Sequence, residues 1–302
     1  MTIVSYTGFQ KLSRYGAGQQ PTGDSARLNF EVDSKAFSVE DPRQFVPPSG
    51  QQWTSLAKMR GSYRNKFSPV GEDNGEERMT SIWTEPKVAI GQRCILIQTD
   101  QGNVLWDCIT YLDEETTDFI KGKGGLKAIV ISHPHYYTTH LDWAKTFDCP
   151  VYIAQDDAEW LNRADHEQRR KMFSGDSQAI LDQIIAIRTG GHFPGSLVLK
   201  WQDKLMIADS FVTVPSALYH IDRLPGTTSF AFMWAVPNMI PLPPSELHKM
   251  WQLIKPYNFN STHGAFVGHE VRDPNVKRRV LESMKIQTRA MGWQDHPLLQ
   301  ER

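Results

Sequence analysis

The chain has few cysteines, no long apolar run and almost no net charge. Its three cysteines, Cys94, Cys108 and Cys149, are odd in number and form no Cys-x-x-Cys pair. That argues against a disulfide framework or a cysteine zinc site, and fits buried free thiols in a reducing cytoplasm. Mean hydropathy is -0.45. No stretch approaches the ~20 apolar residues that a membrane-spanning helix needs. The opening residues, Met1-Thr-Ile-Val-Ser-Tyr-Thr-Gly8, lack a basic segment followed by an apolar one, so no secretory signal is expected. Lysine and arginine total 33 against 34 acidic residues, a formal net charge of -1. Such a balance gives no general attraction for nucleic acid or an anionic membrane. Internal repeats and low-complexity tracts are also absent.

What is present suits a globular protein. The 302 residues are 40% hydrophobic, enough to bury a substantial core. Residues 1–77 contain Gly16-Ala-Gly-Gln-Gln-Pro21, Pro47-Pro48-Ser-Gly50 and Gly71-Glu-Asp-Asn-Gly75, with poor apolar periodicity. They predict a loop-rich N-terminal extension, either an arm on the main domain or a lid over a site. Residues 78–302 predict the main domain. Strand-like runs at 94–98 and 104–108 flank the turn Thr99-Asp-Gln-Gly-Asn103, and a second hairpin joins 196–201 to 204–208. Between them, strand-like runs at 128–132 and 151–154 alternate with helix-like segments at 113–121, 139–147 and 155–163. A further strand is expected over 229–236, another over 258–262, and helices over 244–255 and 276–290. Hairpins, then β-α-β, then hairpins and β-α imply an α+β fold with mixed sheets and helices outside.

The chemistry concentrates where apolar runs end. Ile129-Val-Ile-Ser-His133-Pro134-His135 closes a strand on two histidines spaced i, i+2, which extended backbone projects to one side. Imidazoles so placed can share one ion. Thr189-Gly190-Gly191-His192 sets a histidine after two glycines able to turn sharply. Leu205-Met-Ile-Ala-Asp209 ends a strand on a carboxylate, and Asn260-Ser-Thr-His263-Gly264 ends another on a histidine. Four distant strand ends each carry a metal-competent side chain, and layered α/β folds build sites at strand ends. Tyr136, Tyr137, Trp143, Phe193, Phe211, Trp234 and Phe266 lie near these motifs and suit a pocket for a small organic molecule.

The ordered set His133-x-His135, Gly191-His192, Ala208-Asp209 and Thr262-His263-Gly264, with the early strand Val104-Leu-Trp-Asp107, resembles the metallo-β-lactamase-fold metallohydrolases over residues 78–270. The resemblance implies an αββα sandwich: two mixed β-sheets packed face to face, helices outside, and metal along one sheet edge. The usual family motif is His-x-His-x-Asp-His, whose last two positions are here Tyr137 and Thr138. A second metal site is therefore expected to be broken. The implied first site is His133, His135 and His192 with Asp209 as fourth ligand, holding one zinc, with iron as the alternative. His263 would belong by resemblance to the second site and now assist substrate. Tyr137 would stabilise an oxyanion and Asp209 would orient water. His140 and Asp142 lie close enough to be considered as replacements. The implied activity is hydrolysis of a lactone, lactam, ester or thioester. The alternative is a non-hydrolytic member, either an iron-dependent oxidoreductase or a ligand-binding protein. The expected partner is a small-molecule substrate, and oligomeric state is left open.

Overall fold

A computed structural model of the chain describes residues 3–5, 43, 48, 53–70, 78–219 and 223–302. Most of the expected N-terminal extension, including residues 16–21 and 71–75, lies outside the described residues, as does His220.

Two sheets carry the fold. The first is seven-stranded in sequential order: β1 (Arg64–Pro69), β2 (Met79–Glu85), β3 (Arg93–Thr99), β4 (Gly102–Trp106), β5 (Ala128–Val130), β6 (Val151–Ala154) and β7 (Arg170–Phe173). Strands β1 to β4 pair antiparallel, and β4 to β7 pair parallel through α1 (Glu114–Gly122), α2 (His140–Phe147) and a loop. The second sheet has six strands: β8 (Ser177–Leu181), β9 (Ile184–Arg188), β10 (Leu197–Trp201), β11 (Lys204–Met206), β12 (Ser261–His263) and β13 (Glu270–Arg272). Only β11 and β12 pair parallel there, and the crossover between them includes α3 (Pro244–Ile254). The last long element is α4 (Val276–Ala290).

The period-two alternation of the strands sorts the core into three layers. Val104, Trp106, Ala128 and Val130 of the first sheet meet Ala186, Leu197, Leu199 and Met206 of the second. Their neighbours Leu105 and Ile129 point the other way and pack with Ile120 of α1 and Trp143 of α2. Ile187, Val198 and Leu205 likewise leave the second sheet to meet Leu247 and Trp251 of α3 and Val280 and Met284 of α4. Both faces of the central strands are buried, which is why they read as continuous apolar runs. The architecture is the expected αββα sandwich.

Several elements differ from the sequence reading. Strand β1 lies within the stretch assigned to the extension, so the sheet begins before residue 78; its pattern Arg-Asn-Lys-Phe-Ser-Pro is that of an edge strand with little apolar signal. Residues 155–163 do not form an α-helix: Gln155–Trp160 is a pair of 3-10 turns kinked at Asp157. The expected strand over 229–236 breaks into Phe230–Ala231, paired with Val212–Thr213, and Met233–Ala235, paired with Ile240–Pro241. Strands β7 and β8 give no sequence signal because half-exposed polar residues interrupt them.

Candidate metal centre

One edge of the sandwich collects the strand ends singled out in the sequence. Here Asp107 directly follows β4, Ser132 and His133 lie just past β5, and Asp209 lies three residues past β11. The loop from β9 to β10 carries His192. The two sheets are stitched at this edge, because Leu197 N at the start of β10 donates to Ser132 O at 2.8 Å.

His133, His135, His192 and Asp209 each present one ligand atom here, and all four atoms lie within 4.8 Å of one another. Asp209 Oδ2 stands 3.5 Å from His133 Nε2, 3.7 Å from His135 Nδ1 and 3.8 Å from His192 Nε2. His192 Nε2 and His135 Nδ1 are 3.3 Å apart. His133 Nε2 is buried and has no hydrogen-bond partner among the described residues. Three imidazole nitrogens and a carboxylate oxygen converging on one point are a donor set for a divalent ion, and His133 Nε2 has otherwise lost water for nothing.

Local backbone explains the convergence. His133 is extended (φ -166°, ψ 170°), but Pro134–Tyr136 is a 3-10 turn rather than a strand. The two histidines therefore meet through a turn, with His133 offering Nε2 and His135 offering Nδ1. In the second loop Gly190 (φ +66°) and Gly191 (φ +96°) hold the left-handed conformation, and a Cβ on Gly191 would lie 2.8 Å from Leu242. Ser210 Oγ accepts from His192 N and donates to Gly190 O, both at 2.8 Å. The residue after Asp209 thus fixes the loop that carries His192.

Two of the remaining ring nitrogens are tied down. His192 Nδ1 meets Trp234 O at 2.6 Å, and His133 Nδ1 meets Ser132 Oγ at 2.7 Å. Such outer partners set the tautomer and aim the ligating nitrogen. Asp107, with a left-handed φ of +63°, accepts from Ser132 N at 2.7 Å. Burial pushes its carboxyl up to about 7, partly opposed by His133. Burial raises the Asp209 carboxyl too, but the three histidines outweigh it and hold the group well below the usual range. Burial, followed by His135, holds His192 well below the ordinary histidine value, so its imidazole is neutral and able to ligate.

An aromatic wall backs the ligands. The Phe193 ring lies 4.9 Å from that of His192, 5.1 Å from His135 and 5.8 Å from His133. Behind it sits Arg43, a residue that no motif in the sequence singles out. Its guanidinium lies 3.7 Å from the Phe193 centroid and 5.2 and 5.5 Å from Trp160 and Trp234, and Nη1 donates to His192 O at 2.8 Å. Asp157, also unselected, is buried and accepts from Gly195 N at 2.8 Å; burial pushes it up to about 6.

Other expected site residues stand elsewhere. His263 is not one of the four. Its Nε2 lies 3.0 Å from Ser261 Oγ, back along β12, and its charged neighbours are Arg93, Arg272 and Lys204. Arg93 is itself occupied: it donates to Gly264 O and Ser81 Oγ and pairs with Glu270. Tyr137 is buried in the layer between the first sheet and α1 and α2, facing Asp157 and Arg170. Tyr136 is the tyrosine beside the ligands, its ring 4.5 Å from that of His133. His140 accepts from Arg170 Nε at 2.8 Å through Nε2 and donates through Nδ1 to Tyr137 O, so neither nitrogen is left to ligate. Asp142 pairs with Arg163 at 2.8 Å.

No family model matches the chain. Solved structures similar to it include the metallo-β-lactamase FIM-1 from Pseudomonas aeruginosa in its mono-zinc form, at 12% identity and TM-score 0.49, covering 75% of this chain and 96% of that one. The apo chemotaxis sensor ODP from T. denticola is similar at 16% identity and TM-score 0.49, covering 72% and 92%. Among curated sequences, Uncharacterized protein YmaE of Bacillus subtilis (strain 168) is 39% identical over 255 residues, which is 82% of this chain and 87% of YmaE. The chain belongs to the same family as YmaE.

Proposed function

We propose that this protein is a metal-dependent hydrolase in which His133, His135, His192 and Asp209 hold one divalent ion, zinc, and that it cleaves a small lactone, lactam, ester or thioester. The observation that carries this reading is the convergence of four ligand atoms within 4.8 Å at a sheet edge. A zinc ion in such a site supplies Lewis acidity and a water whose pKa is brought to about 7.

The chain's own residues do the rest. The Trp234 carbonyl, which can only accept, fixes the tautomer of His192, and Ser132 Oγ holds the His133 ring in place, so both donors are preorganised. Asp209 would offset part of the ion's charge, and His135 is the most exposed of the four. Phe193 closes one side and excludes water behind the histidines. Neither Tyr137 nor His263 has a part in this reading: the Tyr137 ring lies against His140, and His263 Nε2 lies 3.0 Å from Ser261 Oγ.

The test is metal analysis of freshly purified protein with a hydrolysis panel of lactones, lactams, esters and thioesters. The expected result is about one zinc per chain and turnover lost in His133→Ala. Protein without metal, or His133→Ala with full turnover, overturns the reading. A second reading keeps the centre and changes the ion: imidazole and carboxylate donors suit iron as well as zinc. One iron per chain and no turnover on the panel would select it.

A further inference from the structure

The sequence assigns oxyanion stabilisation to Tyr137, and the structure sets that ring against His140, 5.8 Å away, not against a ligand; both tyrosines belong to the helix-facing core. Its neighbour has the placement the role requires. Tyr136 closes the 3-10 turn begun at Pro134, and its N–H donates to His133 O at 3.2 Å. Its ring packs against that of His133, with centroids 4.5 Å apart and planes at 59°. The residue is 3% exposed. Its hydroxyl is buried and has no hydrogen-bond partner among the described residues. The carboxylates acting most strongly on that hydroxyl are Asp209 and then Asp107. Asp107 is already engaged by Ser132 N, whereas Asp209 belongs to the ligand group.

A phenol costs free energy when buried without a partner, and native proteins seldom leave one so without use. Its position beside the ligands and its spare proton make it a donor to whatever oxygen arrives there. The geometry points to Tyr136 as a substrate-binding residue whose hydroxyl donates a hydrogen bond to a carboxylate or carbonyl oxygen of the molecule bound at the His133, His135, His192 and Asp209 centre. This rests on the metal-centre reading above but not on the reaction being hydrolysis. The interaction is with an oxygen, so ligands that carry one next to a small organic group are favoured over ligands bound through apolar contact alone.

The experiment compares the wild-type protein with Tyr136→Phe, which removes one oxygen and keeps the ring against His133. Both are loaded with cobalt, and acetate is titrated while the visible ligand-field bands are followed. Tyr136→Phe is expected to hold one cobalt per chain as tightly as the wild type, with unchanged bands before acetate, and to bind acetate roughly tenfold more weakly. Hydrolysis by the zinc-loaded variant is expected to fall in kcat more than in KM. An acetate affinity within twofold of wild type overturns the assignment, as does a cobalt affinity that falls in step with acetate binding. Wild-type protein that hydrolyses nothing on the panel, yet shows the acetate difference, would remove the hydrolase reading and uphold the Tyr136 donor.

Discussion

Strands β11 and β12 lie side by side and parallel, with Met206 in register with His263, and both run toward the same edge. Past Met206 the chain continues to Asp209, which joins three imidazoles; on β12 the imidazole turns back to Ser261 and the Arg93 neighbourhood. Two strand ends that look equivalent in sequence thus have opposite uses. The difference lies in what waits at each end. At Asp209 three imidazoles converge on one carboxylate oxygen. Near His263 a cation is built in, the Arg93 guanidinium, already held by Glu270, Ser81 and Gly264. Like charges raise the cost of placing a metal ion beside it.

Substitutions at the two ends should separate cleanly. Asp209→Ala removes a ligand and should weaken metal binding by more than about a hundredfold, beyond what changes to outer partners usually cost; competition with a coloured chelator measures it. His263→Ala should leave metal affinity within twofold while lowering stability by about 2–3 kcal/mol, because it opens space in the buried inter-sheet region. Denaturant titration reads the second effect, and loss of metal in that variant would break the contrast.

Arg43 sharpens the comparison from the other side of the centre. Arg43→Met deletes the donor to the His192 carbonyl and the cation stacked on Phe193. Metal affinity should fall roughly tenfold, with the fold intact by circular dichroism. An unchanged affinity would show that the wall does not hold His192.

The smallest expected effect belongs to His140. Burial, then the Arg170 charge, brings its pKa down to about 3 from the ordinary 6.5. The unfolded chain binds a proton that the folded chain refuses, so this contribution to stability is complete above about pH 6.5 and declines as pH falls toward 3. Replacing His140 with Gln, which still accepts from Arg170, should flatten the fall in Tm between pH 7 and pH 5. Parallel Tm curves for the two proteins would contradict it.

The sequence shows the four ligand positions because each follows a strand-like run or a glycine turn, features that local pattern exposes. It shows the layers for the same reason: the alternation at Val104, Leu105 and Trp106 is one sheet face after the other. What it hides depends on contacts between distant segments. Arg43 reaches His192 across 149 positions. Ser210 matters only because Gly190 and Gly191 fold back over it. The difference between Tyr136 and Tyr137 turns on a 3-10 turn where extended backbone is the natural expectation after a strand, and one residue within it changes the ring's neighbour from His133 to His140. His263 ends a strand, but strand position specifies where a side chain starts and not which way its rotamer leads, and here Nε2 meets Ser261 Oγ.

Metal stoichiometry tests the central claim most directly. Wild type, His192→Ala and His263→Ala, purified in parallel, are analysed for bound metal per chain. One site built by His133, His135, His192 and Asp209 predicts about one ion in wild type, about one in His263→Ala and almost none in His192→Ala. Two ions in wild type, or loss of metal from His263→Ala, would contradict it.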